Sequence, residues 1–214
     1  FAQYLASRGY AVLTFDLRGT GGSRPKSLRG YRAHMRDWGQ KDMPAALDWL
    51  AGRYPSIPRF AIGHSMGGQQ IGLMHNHELL SGIVLIFTAT GYFRTFPPLL
   101  MLQTVLFMYL FLPLAIPLFG CVPAHLVRSS AEDLPAGVGW EWIKWSLSSV
   151  AIAKYLGKQK HGFFYPEIKL PIRAFAVDDD TMATPANCER FLQDYYYNAP
   201  ITFSCIRASD APTG

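Results

Sequence analysis

The sequence predicts an α/β fold built on a mostly parallel sheet, and three observations lead there. Short apolar, β-rich runs alternate with helix-like stretches in both halves of the chain. One strand, Phe60-Ala61-Ile62, runs through a Gly-x-Ser-x-Gly turn straight into a helix. After a lapse between about Gly91 and Tyr165, the strand–helix pattern resumes at Ile172.

Each element has its own signature. An amphipathic helix from about Phe1 to Arg8 stops at Gly9, a natural cap residue. Tyr10-Ala11-Val12-Leu13-Thr14-Phe15 reads as a buried parallel strand, ending in the glycine-rich turn Asp16–Ser23. A helical stretch from about Tyr31 to Tyr54 carries Trp38, Leu47, Trp49 and Leu50 until Pro55 and Pro58 break it. The strand Arg59–Ile62 follows, then a helix from Met66 to about Leu80 and a strand at Gly82–Phe87. The last three elements are a strand at Ile172–Val177, a helix at Pro185–Tyr196 and a strand at Ile201–Ile206.

Length and composition narrow the class. A chain of 214 residues, half of them apolar, buries enough surface for one domain. The formal charge of +5 raises the question of an anionic partner, but basic residues are scattered, with no Lys/Arg run longer than two. Nucleic-acid binding is therefore not expected. Cys121, Cys188 and Cys205 are an odd number without metal-ligand spacing, so a disulfide framework is not expected and a reducing cytoplasm is. His75 and His77 read as surface residues at a helix end, not metal ligands. Both ends of the sequence look cut, with Phe1 inside a helix and Gly214 just past a strand-like run.

The decisive segment is Gly63-His64-Ser65-Met66-Gly67. A serine between a strand and a helix sits on a strained turn of positive φ. Gly63 and Gly67 are then expected where a side chain would collide with the neighbouring strand or helix. The Ser65 hydroxyl should project from the sheet edge. The Met66 N–H, at a helix N-terminus, is the candidate oxyanion donor.

On these residues the chain resembles the α/β-hydrolase superfamily over almost its whole length. Phe15-Asp16-Leu17-Arg18-Gly19-Thr20-Gly21-Gly22-Ser23 is similar to that family's Asp-x-Arg-Gly-x-Gly-x-Ser segment. Arg29-Gly30-Tyr31, Asp37-Trp38-Gly39, the stretch Gly63–Gln69, Asp133–Val138 and Tyr197-Asn198-Ala199 resemble, more narrowly, a bacterial group of serine aminopeptidase-like hydrolases. The resemblance implies a mostly parallel sheet with flanking helices and a helical cap. The core would take residues 1–91 and 166–214, and the cap 92–165. It implies a catalytic triad in the order serine, acid, histidine. Asp180, in Val177-Asp178-Asp179-Asp180-Thr181, is the candidate acid, with Asp179 next. No histidine follows His161. The resemblance therefore places the base, with a last strand, beyond Gly214, and early strands with the second oxyanion donor before Phe1. His34, His64 and His161 are poor substitutes, and a chain without its base is expected to be inactive.

The segment 92–165 contains a long uncharged stretch, Thr95 through Val127, interrupted by Pro113 and Pro117. Its first reading is an apolar helical insertion packed on the sheet; contact with lipid and a true span are the alternatives. Trp140, Trp142 and Trp145 lie close together, and Trp140 and Trp142 cannot share a helical face. Such a cap favours a hydrophobic small-molecule substrate. The expected chemistry is acyl transfer to water from an ester, thioester or amide, with no metal or organic cofactor implied. A peptidase is one rival, with Glu132, Asp133 and Glu141 as candidate anchors for a free amine. A non-catalytic binding module on the same fold is the other.

Overall fold

A computed structural model describes residues 1–126, 131–148, 150–156 and 162–210. Four strands form the main sheet: β1 (Phe60–His64), β2 (Gly82–Ile86), β5 (Ile172–Val177) and β6 (Ile201–Ile206). They lie in the order β1-β2-β5-β6 and every pairing is parallel. The register sets His64 beside Ile86, Ile86 beside Phe175, and Val177 beside Ile206. All four carboxyl ends therefore open on one edge. Ligands of open parallel sheets bind outside that edge.

Helices supply the second layer. α1 (Ala2–Ser7) buries none of its residues. α2 spans 35–53, with a π-helical turn at Trp38–Asp42 inside it. α3 (Met66–Ile71) follows β1, and α7 (Pro185–Tyr195) connects β5 to β6. Leu47 of α2, Ile71 of α3 and Phe191, Leu192 and Tyr195 of α7 share one core with Ile83, Leu85, Ile172 and Ala174 of the sheet. Alternation along the strands puts Ile172 and Ala174 into that core and leaves Arg173 on the other face.

Two expectations are corrected here. Tyr10–Phe15 forms no strand among the described residues, and Tyr10, Val12 and Phe15 are exposed. Its apolar run has strand propensity, but a strand needs a hydrogen-bonded neighbour to exist. The helix expected to reach Leu80 stops at Ile71. At Gly72 a Cβ would come 2.2 Å from the Tyr165 ring, the Gly72 carbonyl accepts the Phe164 N–H at 2.8 Å, and the chain turns away.

The segment 92–165 holds α4 (Pro98–Phe119), a short hairpin of β3 (Cys121–Val122) and β4 (Leu134–Pro135), α5 (Ala136–Trp145) and α6 (Ala151–Leu156). Helix α4 continues through a π-helical turn at Phe107–Phe111 and ends at Gly120, which takes the left-handed cap conformation. Its buried side, Met108, Leu112 and Ile116, forms a separate small core with Val122, Trp142 and Ile143. The helix thus packs on the hairpin and α5, not on the main sheet as the sequence suggested. Its opposite side is uncovered. Val138, Trp145, Ile152 and Tyr165 join the main core instead. Trp145 is buried, Trp142 sits between the two cores, and Trp140 is exposed.

Candidate active site

β1 delivers Ser65 to the carboxyl edge of the sheet. Its backbone is held at φ 49°, ψ −122°, and its N–H donates to the Ile86 carbonyl at 2.9 Å. A non-glycine residue at positive φ is strained, and such strain persists only where surrounding structure holds it. Ile86 on β2 supplies that hold. Ser65 is exposed to solvent.

The glycines around it explain how helix α3 comes so close. A Cβ on Gly63 would lie 2.4 Å from the Gly68 Cα, and one on Gly68 would lie 2.1 Å from Thr88 Oγ1. A Cβ on Gly67 would meet nothing within 4 Å. The second close approach therefore belongs to Gly68, and the expectation for Gly67 is wrong. In a helical turn Gly68, not Gly67, faces back onto the strand that precedes it. Met66 opens α3, partly buried against the main core. Amides in the first turn of a helix have no intrahelical acceptor, so the Met66 N–H is available at the end where Ser65 sits.

Two further residues fix this corner. Phe87, directly after β2, is the other non-glycine at positive φ among the described residues, 49°. Its N–H donates to the Phe175 carbonyl at 2.9 Å and its ring meets His64 edge-on at 5.8 Å. Nothing in an Ile-Phe-Thr sequence signals that conformation. Gln69 donates from Nε2 to the Ala89 carbonyl, and its own carbonyl accepts the Tyr165 hydroxyl. Helix α3 is thereby tied both to the loop after β2 and to the far end of the segment 92–165.

The acidic run lies at the same edge, two strands away. With strands about 4.8 Å apart, β1 and β5 are separated by roughly 10 Å. Asp178 and Asp179 are exposed, whereas Asp180 is partly buried. Asp180 Oδ1 accepts the N–H groups of Met182 and Ala183, both at 2.8 Å. Thr184 then caps α7 by accepting the Asn187 N–H, and Asn187 Nδ2 donates to Thr95 Oγ1 at 2.9 Å. The acid loop is thus fastened to the start of the segment 92–165. Burial, reinforced by the charge of Asp180, pushes the Cys188 thiol up to about 12, so Cys188 stays a neutral thiol.

The described histidines serve elsewhere. His64 lies against Phe87. His34 caps α2, its own N–H donating to Asp37 Oδ2 at 2.8 Å. His75 is exposed, but His77, expected at the surface, is instead buried against Phe164; the His125 Nδ1 is 2.6 Å from Asp133. His161 lies outside the described residues. No described group of three or more His, Cys, Asp or Glu side chains could hold a metal.

The three acids of the segment 92–165 are engaged too. Glu132 Oε1 accepts the Gly21 N–H at 2.9 Å. Asp133 pairs with His125 and with Arg24 at 3.5 Å; burial alone would raise its carboxyl, but His125 and Arg24 hold it below the usual range. Glu141 is 1% exposed. It pairs with the Arg36 guanidinium at 2.8 Å and accepts the Arg36 N–H at 3.0 Å. Burial nevertheless wins, and its carboxyl is raised.

The Asp16–Ser23 turn is structural. Asp16 Oδ2 accepts the Gly22 N–H, Arg18 forms a two-point pair with Asp42 at 2.6 and 2.7 Å, and the Trp38 indole donates to the Arg18 carbonyl. A groove of about 420 Å³ lies at the opposite, amino-terminal end of the strands, between Phe60, Val84, Arg173 and Ile201, away from Ser65.

Comparison with known proteins agrees with the fold. The family model for serine aminopeptidase, S33, matches residues 1–129. No protein of curated function matches by sequence. Among solved structures, a Paleococcus ferrophilus monoacylglycerol lipase superposes with a TM-score of 0.58 at 15% identity, over 96% of this chain and 77% of that one. A Pyrococcus furiosus esterase gives 0.57 at 20% identity, over 96% and 64%. A Mycobacterium tuberculosis protein gives 0.52 at 18% identity, over 96% and 74%. At these identities the likeness is one of fold. The family model covers more than half of the chain, so the protein belongs to the serine aminopeptidase, S33, family and is a hydrolase of the α/β-hydrolase fold.

Proposed function

We propose that this hydrolase works by acyl transfer through Ser65. The observation that carries the reading is the strained backbone of Ser65, φ 49° and ψ −122°, which holds an exposed hydroxyl over the carboxyl ends of parallel strands. Strain of this kind is worth retaining where it aims a reactive group.

In this reading Ser65 Oγ attacks the carbonyl carbon of the substrate and gives its proton to a histidine outside the described residues. The oxyanion that forms is met by the Met66 N–H. The histidine returns the proton to the leaving alcohol, thiol or amine as the carbon–heteroatom bond breaks, and water then releases the acyl group by the same steps in reverse. Asp180 orients the histidine. Its Oδ1 is occupied by the Met182 and Ala183 amides, which fixes the carboxyl plane and leaves Oδ2 for the imidazole N–H. Asp179, exposed, is the second choice.

A hydrophobic acyl substrate suits the apolar character of α4 and the exposed Trp140. An aminopeptidase would need a carboxylate for the free amine of its substrate. Glu132, Asp133 and Glu141 are each committed to a partner within the chain. Ester or thioester cleavage is therefore the favoured reading over peptide cleavage.

The test is a rate comparison on the intact gene product. p-Nitrophenyl esters from acetate to palmitate should be hydrolysed faster than any aminoacyl p-nitroanilide, and Ser65→Ala should remove that activity. Faster cleavage of the anilides would assign a peptidase. No serine-dependent turnover of either would leave a binding module.

A further inference from the structure

We propose that helix α4 docks the protein on an anionic lipid bilayer, lying in the plane of the membrane surface with its leucine face among the acyl chains. Its 22 residues contain no charged side chain, and an 18-residue window within it has a mean hydropathy of 2.2, yet only 22% of that window is buried. The uncovered side is a stripe of Leu99, Leu102, Leu106, Leu110, Leu114 and Leu118, each about half to two-thirds exposed, with Gln103 exposed among them. Steps of three or four residues keep them on one face for the length of the helix, about 33 Å. An exposed apolar patch of this extent marks a binding surface.

The character of the face and its ends identifies the occupant. A protein partner would require a polar rim around an apolar centre. Here Gln103 and Thr104 are the only amide or aliphatic hydroxyl side chains in the helix, and the one phenol, Tyr109, bonds Ser146 on the inner side. Cations stand at both ends instead. Arg94 lies in the turn before α4, beside Tyr92 and Phe93, a pairing of cation and aromatics suited to lipid headgroups. At the other end Arg29 Nη2 donates to the Leu118 carbonyl at 2.7 Å, its stem packed at Gly120, with Lys26 nearby in sequence. Asp133 and Glu132 near this end are already paired with His125, Arg24 and the Gly21 amide. The chain as a whole carries +5. Such an arrangement adds electrostatic attraction to anionic lipid to the burial of the leucines.

The helix lies on the membrane and does not cross it. Its inner side, Met108, Leu112, Ala115 and Ile116, is packed against the hairpin and α5, and a crossing would strip that packing and the Arg29 bond.

The experiment is flotation of the intact gene product with large unilamellar vesicles of phosphatidylcholine and phosphatidylglycerol, 7:3. The protein is expected to float with them, to bind less to pure phosphatidylcholine or in about 0.5 M salt, and to be released by alkaline carbonate. L106E/L110E, which changes two outward side chains, should lower partitioning about tenfold or more with an unchanged melting temperature and circular dichroism spectrum. Should that variant misfold, the milder L106Q is expected to show a smaller loss in the same direction. Failure of the native protein to float, resistance to carbonate, or a dimer dispersed by L106E/L110E without vesicle binding would each overturn the proposal. None of these outcomes depends on Ser65, so the proposal stands or falls apart from the acyl-transfer reading.

Discussion

A Cβ added to Gly63 would lie 2.4 Å from the Cα of Gly68, so strand β1 and helix α3 touch backbone to backbone at the turn that carries Ser65. Neither side can yield by rotating a side chain. Gly63→Ala should therefore destabilise the protein by about 3 kcal/mol, at the upper end for overpacking. Gly68→Ala meets Thr88 near its Cβ and should also be costly. Gly67→Ala meets open space and should leave stability level or slightly improved. Chemical denaturation of the three variants checks this order.

Ser65 itself should be a stability liability. Glycine adopts φ 49° without steric penalty, so Ser65→Gly is expected to gain about 1 kcal/mol while turnover disappears. A variant that loses both stability and activity would mean the turn is held by the hydroxyl, not tolerated in spite of its side chain.

In the proposed acyl transfer Asp180 does two things, and two substitutions separate them. Asn at 180 keeps a carbonyl oxygen for the Met182 and Ala183 amides but loses the negative charge. Asp180→Asn should fold normally and lose about 10³–10⁴ in kcat. Asp180→Ala should lose the turn as well and melt lower. Asp179→Asn, on an exposed carboxylate, should change neither by much.

Two acids of the segment 92–165 should move stability with pH in opposite directions. Glu141 is raised in the folded state by burial, so the folded protein holds this proton more tightly than the unfolded chain. Relative to Glu141→Gln, the native protein should lose stability as pH rises through and above the ordinary 4.5. Asp133 is lowered, burial being outweighed by His125 and Arg24. Relative to Asp133→Asn, the native protein should hold its advantage above the ordinary 3.8 and lose it as pH falls below that value. Urea midpoints of the three proteins from pH 3 to 7 measure both trends.

Much of this arrangement was legible in the sequence. The strand bounds Ile172–Val177 and Ile201–Ile206 follow from β-rich runs, interrupted only by Arg173, Thr202 and Ser204 at alternate positions, and bracketed by Pro171, the Asp trio, Pro200 and Arg207. The positive φ of Ser65 and the close approach at Gly63 followed from the Gly-x-Ser-x-Gly spacing between strand and helix. What escaped depends on neighbours far along the chain. Tyr10–Phe15 has the composition of a strand, but pairing is a property of two segments and not one. Helix α3 ends where Tyr165, 93 positions after Gly72, fills the space that further turns would need. The positive φ of Phe87 has no side-chain signature at all. Gly68 was misjudged by one position because which glycine faces the strand depends on how the helix is rotated about its axis.

The most direct measurement is covalent labelling of the intact gene product with a fluorophosphonate probe, which reacts only with a serine hydroxyl whose proton is taken as it attacks. The account predicts stoichiometric labelling at Ser65, none in Ser65→Ala, and strongly slowed labelling in Asp180→Asn. Labelling at another serine, or equal labelling with and without the Asp180 charge, would contradict it.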